Sequence, residues 1–348
     1  NSIDTFELQN QTDKRNAFAI SYVWNFGDGT SSTNTNFNKS YTQSGDYRIT
    51  LYAVNKNGCR DSVSYNSKVY SDPAADFSIN QSGQCINNQK FDFTNNSSIS
   101  YGGGSLSYQW LYADSLFANS TNSSKKFDEV KTYPIKLIAT SSLGCKDSVQ
   151  RNITVYPKPV AKFAINDDAQ CLSNNVFKLT NNSTVASGTN SFQWNFGDNT
   201  GNSVVSPDKV YSAYGTYDIT LKALTNYGCK DSVVKRVTVH SQPVVTFSRS
   251  DTAICRYQNS FTFTNNSSNA DGSRLSYNWT YSDGNSDTLV SPKVGFKESG
   301  LYLIKLVGKT QFGCLDSQIK SVRVFPQPLP SFTIKTPLQC LTNNSYAA

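Results

Sequence analysis

Gly58-Cys59-Arg60-Asp61-Ser62 returns as Gly144-Cys145-Lys146-Asp147-Ser148, as Gly228-Cys229-Lys230-Asp231-Ser232 and as Gly313-Cys314-Leu315-Asp316-Ser317. This recurrence decides how the chain is organised. The period is roughly 85 residues, too long for most solenoid units and right for an autonomous small domain. A second series, Cys85, Cys171, Cys255 and Cys340, follows the first at a constant offset. Eight cysteines in register imply disulfides and an oxidising compartment. Zinc is the rival reading, but a single histidine and the lack of any Cys-x-x-Cys pair argue against it.

Working outward, 348 residues at this period make four small domains and the start of a fifth. The expected boundaries are 1–72, 73–157, 158–241, 242–327 and 328–348, the first lacking its opening strand. Each core is marginal alone, because a domain of this size buries only about two-thirds of its unfolded surface. Aromatics are plentiful, with 20 Tyr, 20 Phe and 4 Trp, and charge is sparse at 16%, which favours strands and turns and leaves almost no helix. The net charge of +7 is scattered over every repeat, so no Lys/Arg run marks a nucleic-acid partner. No apolar run is long enough to mark membrane insertion. There is no Met and no signal peptide, as expected of a processed or excerpted piece of a secreted chain.

Each repeat alternates apolar and polar residues with period two, the pattern of half-buried strands. Phe6-Glu7-Leu8, Phe91-Asp92-Phe93, Phe177-Lys178-Leu179 and Phe261-Thr262-Phe263 form one set. In the next, Tyr22, Trp24 and Phe26 and their copies around Trp110, Trp194 and Trp279 put rings on one face, which is the core. A third set carries Tyr47-Ile49-Leu51, Tyr133-Ile135-Leu137, Tyr217-Ile219-Leu221 and Tyr302-Ile304-Leu306, each leading Tyr placed for a tyrosine corner. This strand and the last one form a hairpin around the Gly-Cys turn. Pro73, Pro157, Pro159, Pro243, Pro326 and Pro328 then mark short, stiff joints. Gly102-Gly103-Gly104-Ser105 reads as a flexible loop. His240 reads as a surface residue without a partner, and no Ser/His/Asp set supports catalysis.

Trp24-Asn25-Phe26-Gly27-Asp28-Gly29 followed by Gly45, Tyr47, Ile49 and Leu51 resembles the polycystic-kidney-disease (PKD) domain, as do Trp194 to Asp198 with Gly215 and Tyr217. Repeat two departs at Leu111-Tyr112-Ala113-Asp114-Ser115 and at Lys131, where the Gly falls, and repeat four at Tyr281-Ser282-Asp283-Gly284. The resemblance implies an all-β chain, a linear array of seven-stranded immunoglobulin-like sandwiches. The added Gly-Cys-Lys-Asp-Ser and Gln-Cys elements resemble the PKD arrays of giant Bacteroidota surface proteins, including gliding and adhesive filaments. Asp-Ser/Thr-aliphatic triplets at Ser62, Ser115, Ser148, Ser232, Thr252 and Thr288 resemble the O-glycosylation motif of secreted proteins of that group. The competing reading is that they only start strands.

In an immunoglobulin-like sandwich the loop between the first two strands and the loop between the last two lie at opposite ends. With Cys85 in the former and Cys145 in the latter, the resemblance implies bonds between consecutive repeats, Cys85–Cys229 and Cys171–Cys314. The alternative is bonding within repeats, Cys85–Cys145, Cys171–Cys229 and Cys255–Cys314. The turn residues Asp28, Asp198 and Asp283, with Asp114, raise calcium as the one candidate cofactor, against the reading that they only form turns.

The function expected is a structural stalk or filament segment of an extracellular bacterial surface adhesin, giving reach and stiffness and no catalysis. Its partners would be further repeats of the same polypeptide, copies of itself in a filament, and glycans or proteins at a distal tip. The alternative is a polysaccharide- or protein-binding accessory module of a secreted hydrolase. Asn1 and Cys340-Leu341 fall at the same phase of the repeat. The chain is thus expected to be cut from a longer array, leaving Cys59, Cys145, Cys255 and Cys340 to find partners outside it. The other solution is donation of the Phe332 strand to another molecule.

Overall fold

The computed structural model describes residues 5–12, 19–87 and 89–333. Cys340 and everything from 334 onward lie outside the described residues, and Ser331, Phe332 and Thr333 form no strand. Among the described residues there is no helix. Contacts divide the chain into one unit of Asn1–Lys158 with Tyr227–Cys229 and another of Pro159–Asn226 with Lys230–Ala348.

Strand formation follows from alternation. In Gly215–Thr225, Ile219, Leu221, Ala223 and Thr225 point inward and are buried, while Asp218, Lys222 and Leu224 on the opposite face are exposed. In the first unit a five-stranded sheet runs Ser115–Ala118, Leu106–Tyr112, Thr132–Ser141, Lys146–Tyr156, Gly83–Cys85. It faces a three-stranded sheet of Ser123–Lys125, Phe91–Asn95 and Phe77–Ile79. The same unit holds a smaller pair, Ser31–Ser32, Ile20–Asn25, Gly45–Asn55 and Arg60–Val69, with Phe6–Leu8 on Phe37–Lys39. The second unit repeats the five-plus-three arrangement twice, around Gly215–Thr225 with Lys230–His240 and around Gly300–Thr310 with Leu315–Phe325.

The opening strand of each full repeat is split between the sheets. Phe77–Ile79 pairs antiparallel with Phe91–Asn95, after which Gly83–Cys85 pairs in parallel with the end of Lys146–Tyr156, Cys85 opposite Tyr156. Ala169–Cys171 and Ala253–Cys255 do the same against His240 and Phe325. The sequence places these cysteines in a loop; they are on strands, because so short a parallel pairing leaves no periodicity to read. Counted once, the split strand gives the seven of an immunoglobulin-like sandwich.

The four tryptophans Trp24, Trp110, Trp194 and Trp279 are buried in four separate cores. Each indole N–H donates to a carbonyl further along the chain, those of Asn34, Ser120, Val204 and Leu289, at 2.9–3.1 Å, so burying the ring strands no donor. Tyr133 is buried, but Tyr47, Tyr217 and Tyr302 are only half-buried, at the margin of the core. All four hydroxyls reach back to a carbonyl one turn upstream, at 2.8–2.9 Å, the tyrosine-corner bond.

The repeated pentapeptide owes its Asp to a tether. The Asp147, Asp231 and Asp316 carboxylates accept the backbone N–H of Ala75, Ala161 and Val245 at 2.8, 2.9 and 2.8 Å, fixing the segment after the linker proline to the Gly-Cys hairpin of the same repeat. Charge-assisted bonds of this kind contribute about 1.5–3 kcal/mol. Asp316→Ala should therefore lower stability by about that amount and speed hydrogen exchange at the buried Val245 amide. Unchanged protection of Val245 would reject the tether.

Candidate functional site

The parallel strand and the Gly-Cys turn meet in a repeated joint. Cys85 is bonded to Cys229 and Cys171 to Cys314, with Cα–Cα distances of 5.6 and 5.5 Å. Cys229 and Cys314 are buried. Bonding within repeats does not occur. Cys145 stands just before the strand Lys146–Tyr156 and Cys85 lies opposite its far end, about 35 Å away along a strand, where a disulfide spans at most about 7 Å between Cα atoms. The Cys171–Cys229 and Cys255–Cys314 alternatives fail for the same reason. Cys59 and Cys255 are free and exposed, and Cys145 is free and half-buried.

A ring stack accompanies each disulfide. Tyr156 lies on Tyr227 at 4.1 Å between centroids and 5° between planes, and His240 on Phe312 at 3.7 Å and 9°. His240 is thus not the partnerless surface residue that the sequence indicates: its ring is one half of a stack. The signal existed, in the ring at the end of the last strand or just past it (Tyr70, Tyr156, His240, Phe325) and in the apolar residue two before most turn cysteines (Leu143, Tyr227, Phe312). Its two halves belong to consecutive repeats, too far apart along the chain for local pattern to connect.

The aspartate turns are built around a lysine. The Asp28 carboxylate accepts from Lys39 Nζ at 2.7 Å and from the Thr30 N–H and hydroxyl at 3.0 and 2.6 Å. Lys39 also bonds Thr30 Oγ1 at 2.9 Å and lies 5.0 and 5.1 Å from the Phe26 and Tyr41 ring centres, within cation–π range. Repeat three copies the set with Asp198, Thr200, Lys209, Phe196 and Tyr211, its ion pair at 2.6 Å and ring distances of 5.0 and 4.9 Å. Gly27 makes the tight turn fit, since a Cβ there would sit 2.8 Å from the Arg48 carbonyl oxygen.

Partial burial of Asp28 works against ionisation. The bonds from Lys39 and Thr30 outweigh it and bring the carboxyl down to about 2. Asp198 is lowered for the same reasons. The positive charge beside these two calcium candidates is therefore the chain's own ammonium. Asp283 differs: it bonds the Asn285 backbone and side-chain amides at 3.1 and 2.9 Å, and Val294 stands at the lysine position. Among the described residues no group of three or more His, Cys, Asp or Glu is placed to hold a metal. The hydroxyl-bearing residues Ser62, Ser115, Ser148, Ser232, Thr252 and Thr288 are all exposed. In two of the triplets the Asp, Asp147 and Asp231, is one that tethers a linker amide. Gly102–Gly104 is closely packed rather than loose, for a Cβ on Gly103 would meet the Ile99 side chain at 1.7 Å.

Split first strand, paired sheets and tyrosine corner define an immunoglobulin-like sandwich repeated in tandem. The family model described as "PKD domain" matches residues 2–69, 156–241 and 240–324, and the chain belongs to that family. Among solved structures, the PKD1 domain of Vibrio anguillarum Epp is 24% identical over 24% of this chain and 93% of its own, with a TM-score of 0.21. The PKD1 domain of the Vibrio cholerae metalloprotease PrtV is 24% identical over 24% of this chain and 96% of its own, also at 0.21. A tetra-tandem repeat from the extending region of a large adhesion protein is 12% identical over 87% and 91%, at 0.31.

Because the folded-state value of Asp28 lies below the ordinary 3.8, its ionised form stabilises the fold above about pH 4. That contribution is lost as pH falls through about 2. Urea midpoints should hold from about pH 7 to 5 and decline below about pH 4. The double variant Asp28→Asn, Asp198→Asn should start lower at neutral pH and show a shallower acid decline. An acid limb of unchanged steepness would contradict the lysine–aspartate account.

Proposed function

We propose that this chain is a structural segment of an extracellular bacterial surface protein, a stalk or filament that supplies reach and stiffness. The observation that carries the reading is the joint: consecutive repeats share a disulfide and a stacked ring pair, Cys85–Cys229 with Tyr156–Tyr227 and Cys171–Cys314 with His240–Phe312. Such bonds restrict the relation between repeats, which matters to a load-bearing or spacing element and is of little use to independent binding modules. Disulfides of this kind persist in oxidising surroundings outside the cell. Tandem PKD and immunoglobulin-like domains are typically non-catalytic. The accessory-module alternative would want an exposed aromatic platform; the aromatic residues that recur at the same position of every repeat, the tryptophans, are buried, whereas exposed rings such as Tyr65 and Tyr257 do not recur.

Small-angle scattering tests the stalk. Four beads of about 35–40 Å give an extended chain near ~150 Å with a radius of gyration of about 45 Å, against about 20 Å for a compact chain of this length. A value near the compact limit for the oxidised protein would end the reading. Reduction should leave each sandwich folded while broadening the distance distribution. The proposal includes carbohydrate on Ser62, Ser115, Ser148, Ser232, Thr252 and Thr288, and unmodified masses for those peptides from native material would remove that part of it.

A further inference from the structure

We propose that the outward face of the larger sheet in the fourth sandwich binds the headgroup surface of an anionic lipid layer. Along Gly300–Thr310 and Leu315–Phe325 the side chains alternate between core and solvent. Leu301, Leu303, Leu315 and Ile319 stand on the solvent side, between 51% and 61% exposed. Lys305, Lys309 and Arg323 share that side and are exposed as well. The register pairs the two kinds: Arg323 lies opposite Leu301, Lys305 opposite Ile319 and Lys309 opposite Leu315. Every cation therefore has an aliphatic neighbour across the strand, about 5 Å away, in a stretch about 27 Å long from Leu301 to Lys309.

The face is peculiar to this repeat. Leu315 holds the place of Arg60, Lys146 and Lys230 in the repeated pentapeptide. Leu301 and Leu303 hold that of Thr216 and Asp218, and Ile319 that of Gln150. In repeat three the arginine on this face, Arg236, is matched by Asp218 at 2.8 Å. In repeat four none of the outward positions of Leu275–Tyr281, Gly300–Thr310 or Leu315–Phe325 is Asp or Glu. The face is also lateral. Thr216 and Asp218 are exposed although another repeat follows them, so exposure at these positions is a property of the sheet itself.

Charge complementarity selects the occupant. Three cations with no acidic residue on their face require an anionic partner, and they exclude a second copy packed on the same face, which would set like charges against each other. The aliphatic side chains require that partner to be apolar beneath its charge. Strong protein contacts rest on Trp, Tyr and Arg, with Lys depleted, and no Trp or Tyr stands on this face. A lipid layer presents phosphates above acyl chains, and lysine stems lie along apolar surface while their ammonium groups reach for charge. Each Lys or Arg held near such a surface adds an attraction that salt screens. The inference goes beyond the stalk reading and is read by partition rather than by shape, so either can fail alone.

The full oxidised chain is sedimented with vesicles of equal parts phosphatidylglycerol and phosphatidylcholine, and with vesicles of phosphatidylcholine alone. The expected result is binding to the anionic vesicles only, weakened about tenfold by a rise in salt from about 0.1 to about 0.5 M. Lys305→Gln, Lys309→Gln and Arg323→Gln should each weaken it about fivefold, and the double variant Leu303→Ser, Ile319→Ser about tenfold. Lys222→Gln, on the matching face of repeat three, should leave it unchanged. Far-ultraviolet circular dichroism and an intact Cys171–Cys314 bond report that each variant stays folded. Absence of binding to the anionic vesicles, an equal loss from Lys222→Gln as net charge alone would give, or binding that survives the Leu303→Ser, Ile319→Ser double variant would overturn the proposal. Capture by immobilised poly-aspartate as strong as by the vesicles would also overturn it, and would make the face a site for acidic protein.

Discussion

A short parallel pairing with the end of the last strand sets the exit end of every full repeat. Gly83–Cys85 leaves the smaller sheet to join the larger one, and this puts a cysteine beside the ring residue with which the strand finishes. The fit is tight: a Cβ at Gly83 would come within 2.4 Å of the Tyr156 ring. Ala169 and Ala253 take that place in the other two repeats, opposite Thr238 and Arg323. Once the cysteine is there, the hairpin cysteine of its own repeat is a strand length away, and the sulfur is aimed out of the domain. The joint between repeats is thus a consequence of sheet geometry inside one of them.

The aspartate turns show a second solution to a charge problem. A carboxylate at a tight turn needs a counterion, and in repeats one and three Lys39 and Lys209 provide it on stems that cover aromatic rings. Repeat two keeps the lysine, Lys125, over Phe117 and Phe127, with Asp114 itself at positive φ in the turn. Repeat four has Val294 in place of the lysine. What stays constant is the ring beneath: Tyr41, Phe127, Tyr211 and Phe296 lie 3.8–4.1 Å from Tyr47, Tyr133, Tyr217 and Tyr302. The aromatic contact is the common structure, and the charges above it vary.

The fold class was legible in the sequence because its signals are local or periodic. Alternation in Tyr217-Ile219-Leu221, turns at Gly27 and Gly58, and the recurrence of the Gly-Cys pentapeptide each need only a short window or a simple comparison of copies. The site was less legible. The lysine of the aspartate turn stands at the same distance beyond its tryptophan in repeats one and three, at Lys39 and Lys209, but nothing in composition separates it from a solvated lysine. The tether from Asp147 to Ala75 joins the two ends of a repeat, and its acceptor sits in a motif equally suited to starting a strand. His240 looked idle for the same cause: the ring that covers it belongs to a turn in the following repeat. The strand limits around Cys85 were misplaced because so brief a parallel pairing carries no pattern of its own.

The two disulfides overlap along the chain, since Cys171 falls inside the loop closed by Cys85 and Cys229, and Cys229 inside that closed by Cys171 and Cys314. Tension applied beyond Cys85 and Cys314 therefore has a covalent shortcut: across one bridge to Cys229, backward along the chain to Cys171, and across the other bridge. Drawn taut this is about 200 Å, where the backbone between the same two cysteines would extend to about 800 Å. The stretches from Cys85 to Cys171, from Cys171 to Cys229 and from Cys229 to Cys314 all run between the same two disulfide-linked points, so they take load in parallel, the middle one traversed in reverse. The shortest of them, Cys171 to Cys229, sets how far the oxidised chain can be drawn out between Cys85 and Cys314.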